Sequence, residues 1–145
     1  MILKGETMEA NRLLIAAGRF HGHIGPFLAV GLKIGLVANE ILGRSPLEVR
    51  AEVEVNPRPP RSCVIDGIQY VTGCTLGKAN IVIHARDDRI AASFSLGGRS
   101  VRISLRDEFL KEMESSLQGK PEKAVVDYAF QIMDTPAEQF LEVLQ

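Results

Sequence analysis

The stretch from Pro26 to Leu42 is apolar on nearly every side, and this limits the possible folds more than any other feature of the chain. Its exceptions, Lys33 and Glu40 and then Arg44, lie seven and four apart, so only a narrow stripe of the helix meets water. Such a helix belongs at the centre of a domain. Pro26 suits the first helical position, where its fixed φ is already helical and its missing N–H has no partner to lose. Gly43 is the expected stop. Lys33, Asn39 and Glu40 interrupt the run from Phe27 to Leu42, which is too short and too charged to span a bilayer. Gly31 and Gly35 each cost roughly 1 kcal/mol against Ala inside a helix. Their presence points to another backbone, from a strand or a second copy of the chain, packing close at those positions.

The rest of the chain fits one core. Its 145 residues suffice for a domain that buries roughly 70% of the surface of its unfolded form. Hydrophobic residues make up 46%, and 17 Lys+Arg nearly cancel 18 Asp+Glu, which argues against a disordered tail and against a broad basic face for nucleic acid. A single domain over 1–145 is expected. Glu6 and Glu9 precede the only early apolar run, Leu13–Ala17, so no secretory signal is read and the cytoplasm is the expected location. Cys63 and Cys74 are too few for a disulfide framework, and no CxxC pair exists.

Helical period over Met8–Ala17 predicts a helix capped by Thr7 and ended by Gly18. Val49, Ala51, Val53 and Val55 alternate with Glu48, Arg50, Glu52 and Glu54, the pattern of a half-buried strand ended by Pro57, Pro59 and Pro60. Gly97-Gly98 suits a two-residue turn that sets Leu96 against Arg99, Phe94 against Val101 and Ala92 against Ile103. Asp87-Asp88 offers a second turn, which sets Ile83 against Ala92 and Ile81 against Phe94. Together they predict a three-stranded antiparallel meander over 81–105. Helices are expected over 107–117, over 122–133 after Pro121, and over 137–144, where Thr135 and Glu138 have capping-box spacing. The fold class is α+β.

Three segments carry candidate chemistry. His21-Gly22-His23 lies just before the central helix, whose first amides and dipole favour an anion or thiolate nearby. Two imidazoles there are either ordinary loop residues or part of a metal shell. Cys63–Cys74 reads as a helix that brings Cys63, Asp66, Gln69 and Tyr70 to one side and ends at Gly73, or as a hairpin turning at Asp66-Gly67. The stop offered by Gly73 favours the helix. Either cysteine can equally be a small buried hydrophobe. Gly73–Lys78 lacks the spacing of a phosphate-binding Walker A loop, yet its glycines, Thr75 and Lys78 can form an anion-binding concavity or a simple solvated loop. His84 falls on a sheet face and is not read as a ligand.

Phe20–His23, Pro26, Cys63, Asp66, Gln69 and the block Thr72–Asn80 together resemble the FmdE family of formylmethanofuran dehydrogenase proteins. The resemblance runs from about residue 10 to 130. It implies a thioredoxin-like α+β core, a mixed and mostly antiparallel sheet of about five strands flanked by helices, often dimeric. It also implies a metal site in that core, here drawn from His21, His23, Cys63 and Cys74, with Asp66, Gln69, Thr75 and Lys78 lining it. Two nitrogens and two sulfurs suit zinc or another divalent transition metal. Long members carry a C-terminal zinc finger; no cysteine follows Cys74, so the expectation is a core-only chain. Many members place a cysteine directly before the proline, where this chain has Gly25, so that loop offers no thiol.

Three functional expectations follow. The first is a metal-binding accessory protein of one-carbon metabolism, a homodimer or a partner of other formylmethanofuran dehydrogenase subunits, with no nucleic acid or membrane involved. The second is a free-standing enzyme that uses a metal-bound water, with Asp66 as general base. An interaction module whose site has decayed is the third alternative.

Overall fold

A computed structural model describes residues 4–145, with side chains from Thr7 onward. In chain order the elements are α1 (Lys4–His21), α2 (Pro26–Leu42), β1 (Arg50–Val55), α3 (Cys63–Thr72), β2 (Ile81–Ala85), β3 (Ala91–Leu96), β4 (Arg99–Leu105), α4 (Asp107–Leu117), α5 (Glu122–Asp134) and β5 (Leu141–Leu144). The class is α+β, with one mixed sheet in the order β2-β1-β3-β4-β5. Among the described residues no single helix is long and apolar enough to cross a membrane.

α2 is central, as its composition requires. Leu28, Val30, Leu32 and Ile34 are fully buried, and the helix packs on β3 and β4 with α1, α3 and α5 around it. Its glycines face α3 and not a strand. A Cβ on Gly31 would lie 2.2 Å from the Val64 carbonyl oxygen, and one on Gly67 would lie 2.5 Å from that of Leu28. α2 and α3 therefore touch backbone to backbone. Gly35 makes the same allowance for the Val71 side chain, 2.2 Å from where its Cβ would sit. Lys33 does not simply reach water: its ammonium donates to the Met133 carbonyl at 3.2 Å and lies 5.9 Å from the centre of the Phe140 ring. Burial lowers its pKa, against the raising effect of Asp134 and Glu138.

α1 is longer than its sequence signals suggest. It contains Thr7 and runs through Gly18 to His21. Gly18 serves space, because a Cβ there would lie 2.6 Å from Ile24 on the returning loop. The helix ends at Gly22, whose φ of 107° suits glycine and whose N–H closes on the Gly18 carbonyl at 2.7 Å. α3 forms as a helix and not a hairpin, and Gly73 ends it in the left-handed conformation.

The hairpin of β3 and β4 has the expected register, with Phe94 against Val101 and Ala92 against Ile103. The meander is corrected at its other strand. β2 does not pair with β3; β1 lies between them, parallel to β2 and antiparallel to β3. Each expected row survives with one residue inserted: Val53 sits between Ile83 and Ala92, and Ala51 between Ile81 and Phe94. The parallel pair is possible because α3 supplies the crossover that such strands need. The expected helix over 137–144 is also corrected. A single 3-10 turn at Ala137–Gln139 leads into β5, which pairs Leu141 with Leu105 and Leu144 with Arg102. Eight residues are too few for a helix to hold alone, whereas the free edge of β4 offers a ladder and Phe140 and Leu141 become buried.

On the outer sheet face Glu54 accepts hydrogen bonds from Arg102 and, at 3.2 Å, from Arg89. His84 lies on this face as expected, 2.9 Å from Glu52.

Two expectations follow for stability. Gly31→Ala should destabilise the chain by about 3 kcal/mol, at the upper end of overpacking costs, in urea titration. The Arg102 hydrogen bond holds the Glu54 carboxyl below its ordinary pKa, so its contribution is full above the unfolded pKa and disappears as pH falls through the folded one. Glu54→Gln should accordingly flatten the acid limb of a plot of urea midpoint against pH.

Candidate metal centre

The site forms where two chain connections meet. His21 is the last residue of α1, His23 follows the Gly22 turn, and α2 begins three residues later at Pro26. The close α2–α3 contact brings the start of α3 to the same place, with Cys63 as its first residue and Asp66 one turn on. The donor atoms of His21, His23 and Cys63 lie within 4.8 Å of one another and could hold a metal ion. The two imidazole rings are 4.5 Å apart between centres.

His21 is the best-defined member. Its side chain is only 9% exposed, and its Nδ1 lies 2.5 Å from Asp66 Oδ2. With the proton on Nδ1 donated to the carboxylate, Nε2 keeps its lone pair. That Nε2 is buried and has no hydrogen-bond partner. Protein structures rarely leave such an atom unsatisfied, and a metal ion would satisfy it. The donors fit the group: imidazole and thiolate are usual ligands for zinc and similar ions. Burial, with help from the Asp66 carboxylate, pushes the Cys63 thiol above its usual pKa, so metal uptake would release its proton.

Asp66 is itself held. Gln69 Nε2 approaches its Oδ1 at 3.4 Å, while Gln69 Oε1 accepts the Leu76 N–H at 2.8 Å. The imidazole is thus linked through a carboxylate and an amide to the turn after α3. Asp66, the residue expected as general base, thus hydrogen-bonds one nitrogen of His21 and is itself contacted by Gln69.

Cys74 is not part of the group. It is fully buried and its thiol donates to the Val49 carbonyl at 3.4 Å, so of the four expected ligands the structure gathers three, His21, His23 and Cys63. The reason is length: α3 stands between the two cysteines, and a helix of 10 residues separates them by roughly 15 Å. Burial also pushes the Cys74 thiol up. Thr75 and Lys78 partner each other. The Thr75 hydroxyl accepts from Lys78 Nζ at 2.9 Å and from its backbone N–H at 3.3 Å, on an exposed turn.

Sequence reasoning missed the walls around the donors. A cavity of about 100 Å³ adjoins His23 and Cys63 and is bounded by Pro26, Phe27, Pro60 and Val125 among others. Phe20 and Tyr70 stack at 5.7 Å between ring centres, close in sequence to His21 and Gln69. Helical period places Tyr70 beside Gln69, but no one periodicity joins these residues, because they come from separate segments.

Fold and site together define an α+β protein that gathers two imidazoles and a thiol at the start of its central helix. A family profile described as "FmdE, Molybdenum formylmethanofuran dehydrogenase operon" matches residues 20–142, and the chain belongs to that family. It is also 40% identical over 81 residues to a probable S-adenosyl-L-methionine-binding protein of Archaeoglobus fulgidus, an alignment covering 51% of this chain. The chain spans 21% of that relative's length.

If Asp66 orients His21, Asp66→Asn should weaken metal affinity about 10- to 100-fold while leaving the fold intact. Competition titration against a chelating dye, paired with circular dichroism, would measure both.

Proposed function

We propose that this chain is a metal-binding protein with a formylmethanofuran dehydrogenase-related accessory role in one-carbon metabolism. His21, His23 and Cys63 hold zinc or another divalent transition metal in this reading. One observation carries it: a buried imidazole nitrogen with no partner, on a ring whose other nitrogen is fixed by a carboxylate. A zinc-like ion would supply a Lewis acid at this position. The residues around it position, desolvate and orient. Asp66 sets the His21 tautomer, Gln69 steadies Asp66, and the buried start of α3 excludes water from Cys63.

A second reading, a free-standing metal-dependent enzyme, is favoured by the number of donors. Three protein ligands are the usual complement of a catalytic zinc site, and four that of a structural one. Other subunits of the dehydrogenase, or a second copy of this chain, belong to the accessory reading. Exposed Phe20, Tyr70 and Leu76 offer them apolar contact.

Protein purified without chelator or affinity-tag metal should contain about one equivalent of a transition metal by elemental analysis. The metal should persist in Cys74→Ser and be lost in His21→Ala and Cys63→Ser. Equal metal content in all of these proteins would overturn the reading.

A further inference from the structure

Three donors leave a zinc-like ion one ligand short of its usual four. The cavity of about 100 Å³ beside the donors is lined by two of the donor residues, His23 and Cys63. Its other side chains, those of Pro26, Phe27, Leu28, Pro60 and Val125, carry no hydrogen-bonding group. A polar ligand body would lose its hydration there without replacement.

Gly25 lines this space as well. Its φ of −150° and ψ of 165° are extended backbone that any residue adopts, so the dihedrals do not call for glycine. A Cβ at residue 25 would lie 3.2 Å from His23 Cε1 and 3.5 Å from His23 Nδ1, a tight contact with that side chain. The cavity also adjoins the first turn of α2, whose amides have no acceptor within the helix and whose dipole favours negative charge. The His21 side chain, nine-tenths buried with Nε2 unpartnered, marks the neighbouring donor group independently as a ligand site.

We propose that the cavity seats the aliphatic body of a small thiol, whose sulfur completes the coordination of the ion. The inference rests on the metal-centre reading above and names the ligand class of that site. Each feature matches one part of the ligand. The apolar walls take a hydrocarbon chain, the helix start favours a thiolate, and an ion already held by nitrogen and sulfur prefers a soft donor. Size follows from volume. A 150 Å³ apolar cavity accommodates benzene, so this one has room for about four non-hydrogen atoms, the size of propanethiol. Binding is ligand exchange: the S–H proton leaves to solvent, a metal–sulfur bond forms, solvent is displaced from the ion, and nothing is oxidised or reduced.

The test uses the full chain loaded with cobalt(II), whose sulfur-to-metal charge-transfer absorption reports each bound thiolate. Cys63 should give a band on loading. Propanethiol should then add intensity saturably, at least about tenfold more tightly than propanol or acetate. Val125→Phe, which fills the cavity from α5, should weaken propanethiol binding about tenfold or more while the Cys63 band stays. Gly25→Cys should raise the band without added thiol; if that variant does not fold, Val125→Phe still decides. A Cys63 band with no response to propanethiol, or an affinity unchanged in Val125→Phe, would sink the thiol proposal and leave the metal-centre reading standing. Absence of the Cys63 band would overturn both.

Discussion

The backbone contact between α2 and α3 is the constraint on which the rest of the structure depends. Gly31 and Gly67 allow two helices to meet with no side chain between them at that point. The consequence is positional. The first turn of α3 is drawn against the loop that precedes α2, and Cys63 and Asp66 arrive beside His21 and His23. The same contact lets α3 serve as the crossover between β1 and β2, so the sheet order and the donor group share one cause.

Within the site, polar groups from distant parts of the chain form a single line. The Leu76 amide binds Gln69, Gln69 approaches Asp66, and Asp66 holds His21. Asp66 lies in the first turn of α3, where the helix dipole favours its charge. The imidazole orientation is therefore built into an element that also supplies the thiol.

How much of this could be read from the residues depends on whether the signal was local. The β3–β4 register was legible because Gly97-Gly98 fixes both strands about one turn. The place of β1 was not, because period-two patterns say which face a strand buries and not which neighbour it takes. Val53 fits a row with Ile83 and Ala92 as well as those two fit each other. The capping-box spacing of Thr135 and Glu138 misled because β4 offered the tail a better ladder than eight residues of helix. His21, His23 and Cys63 were legible from their chemistry and family likeness. The inclusion of Cys74 conflicted with the length of the helix already read between it and Cys63. The cavity walls come from scattered residues whose proximity only tertiary packing creates.

The insertion of β1 between two later strands also matters while the chain is being synthesised. β1 leaves the ribosome before either neighbour exists, so both of its hydrogen-bonding edges wait for segments some thirty or more residues downstream. Its alternation of valine with Glu52 and Glu54 makes that interval safer, since repulsion between identical nascent strands discourages them from zipping together. The acidic residues on the outer face of the finished sheet thus act earlier as gatekeepers against self-association.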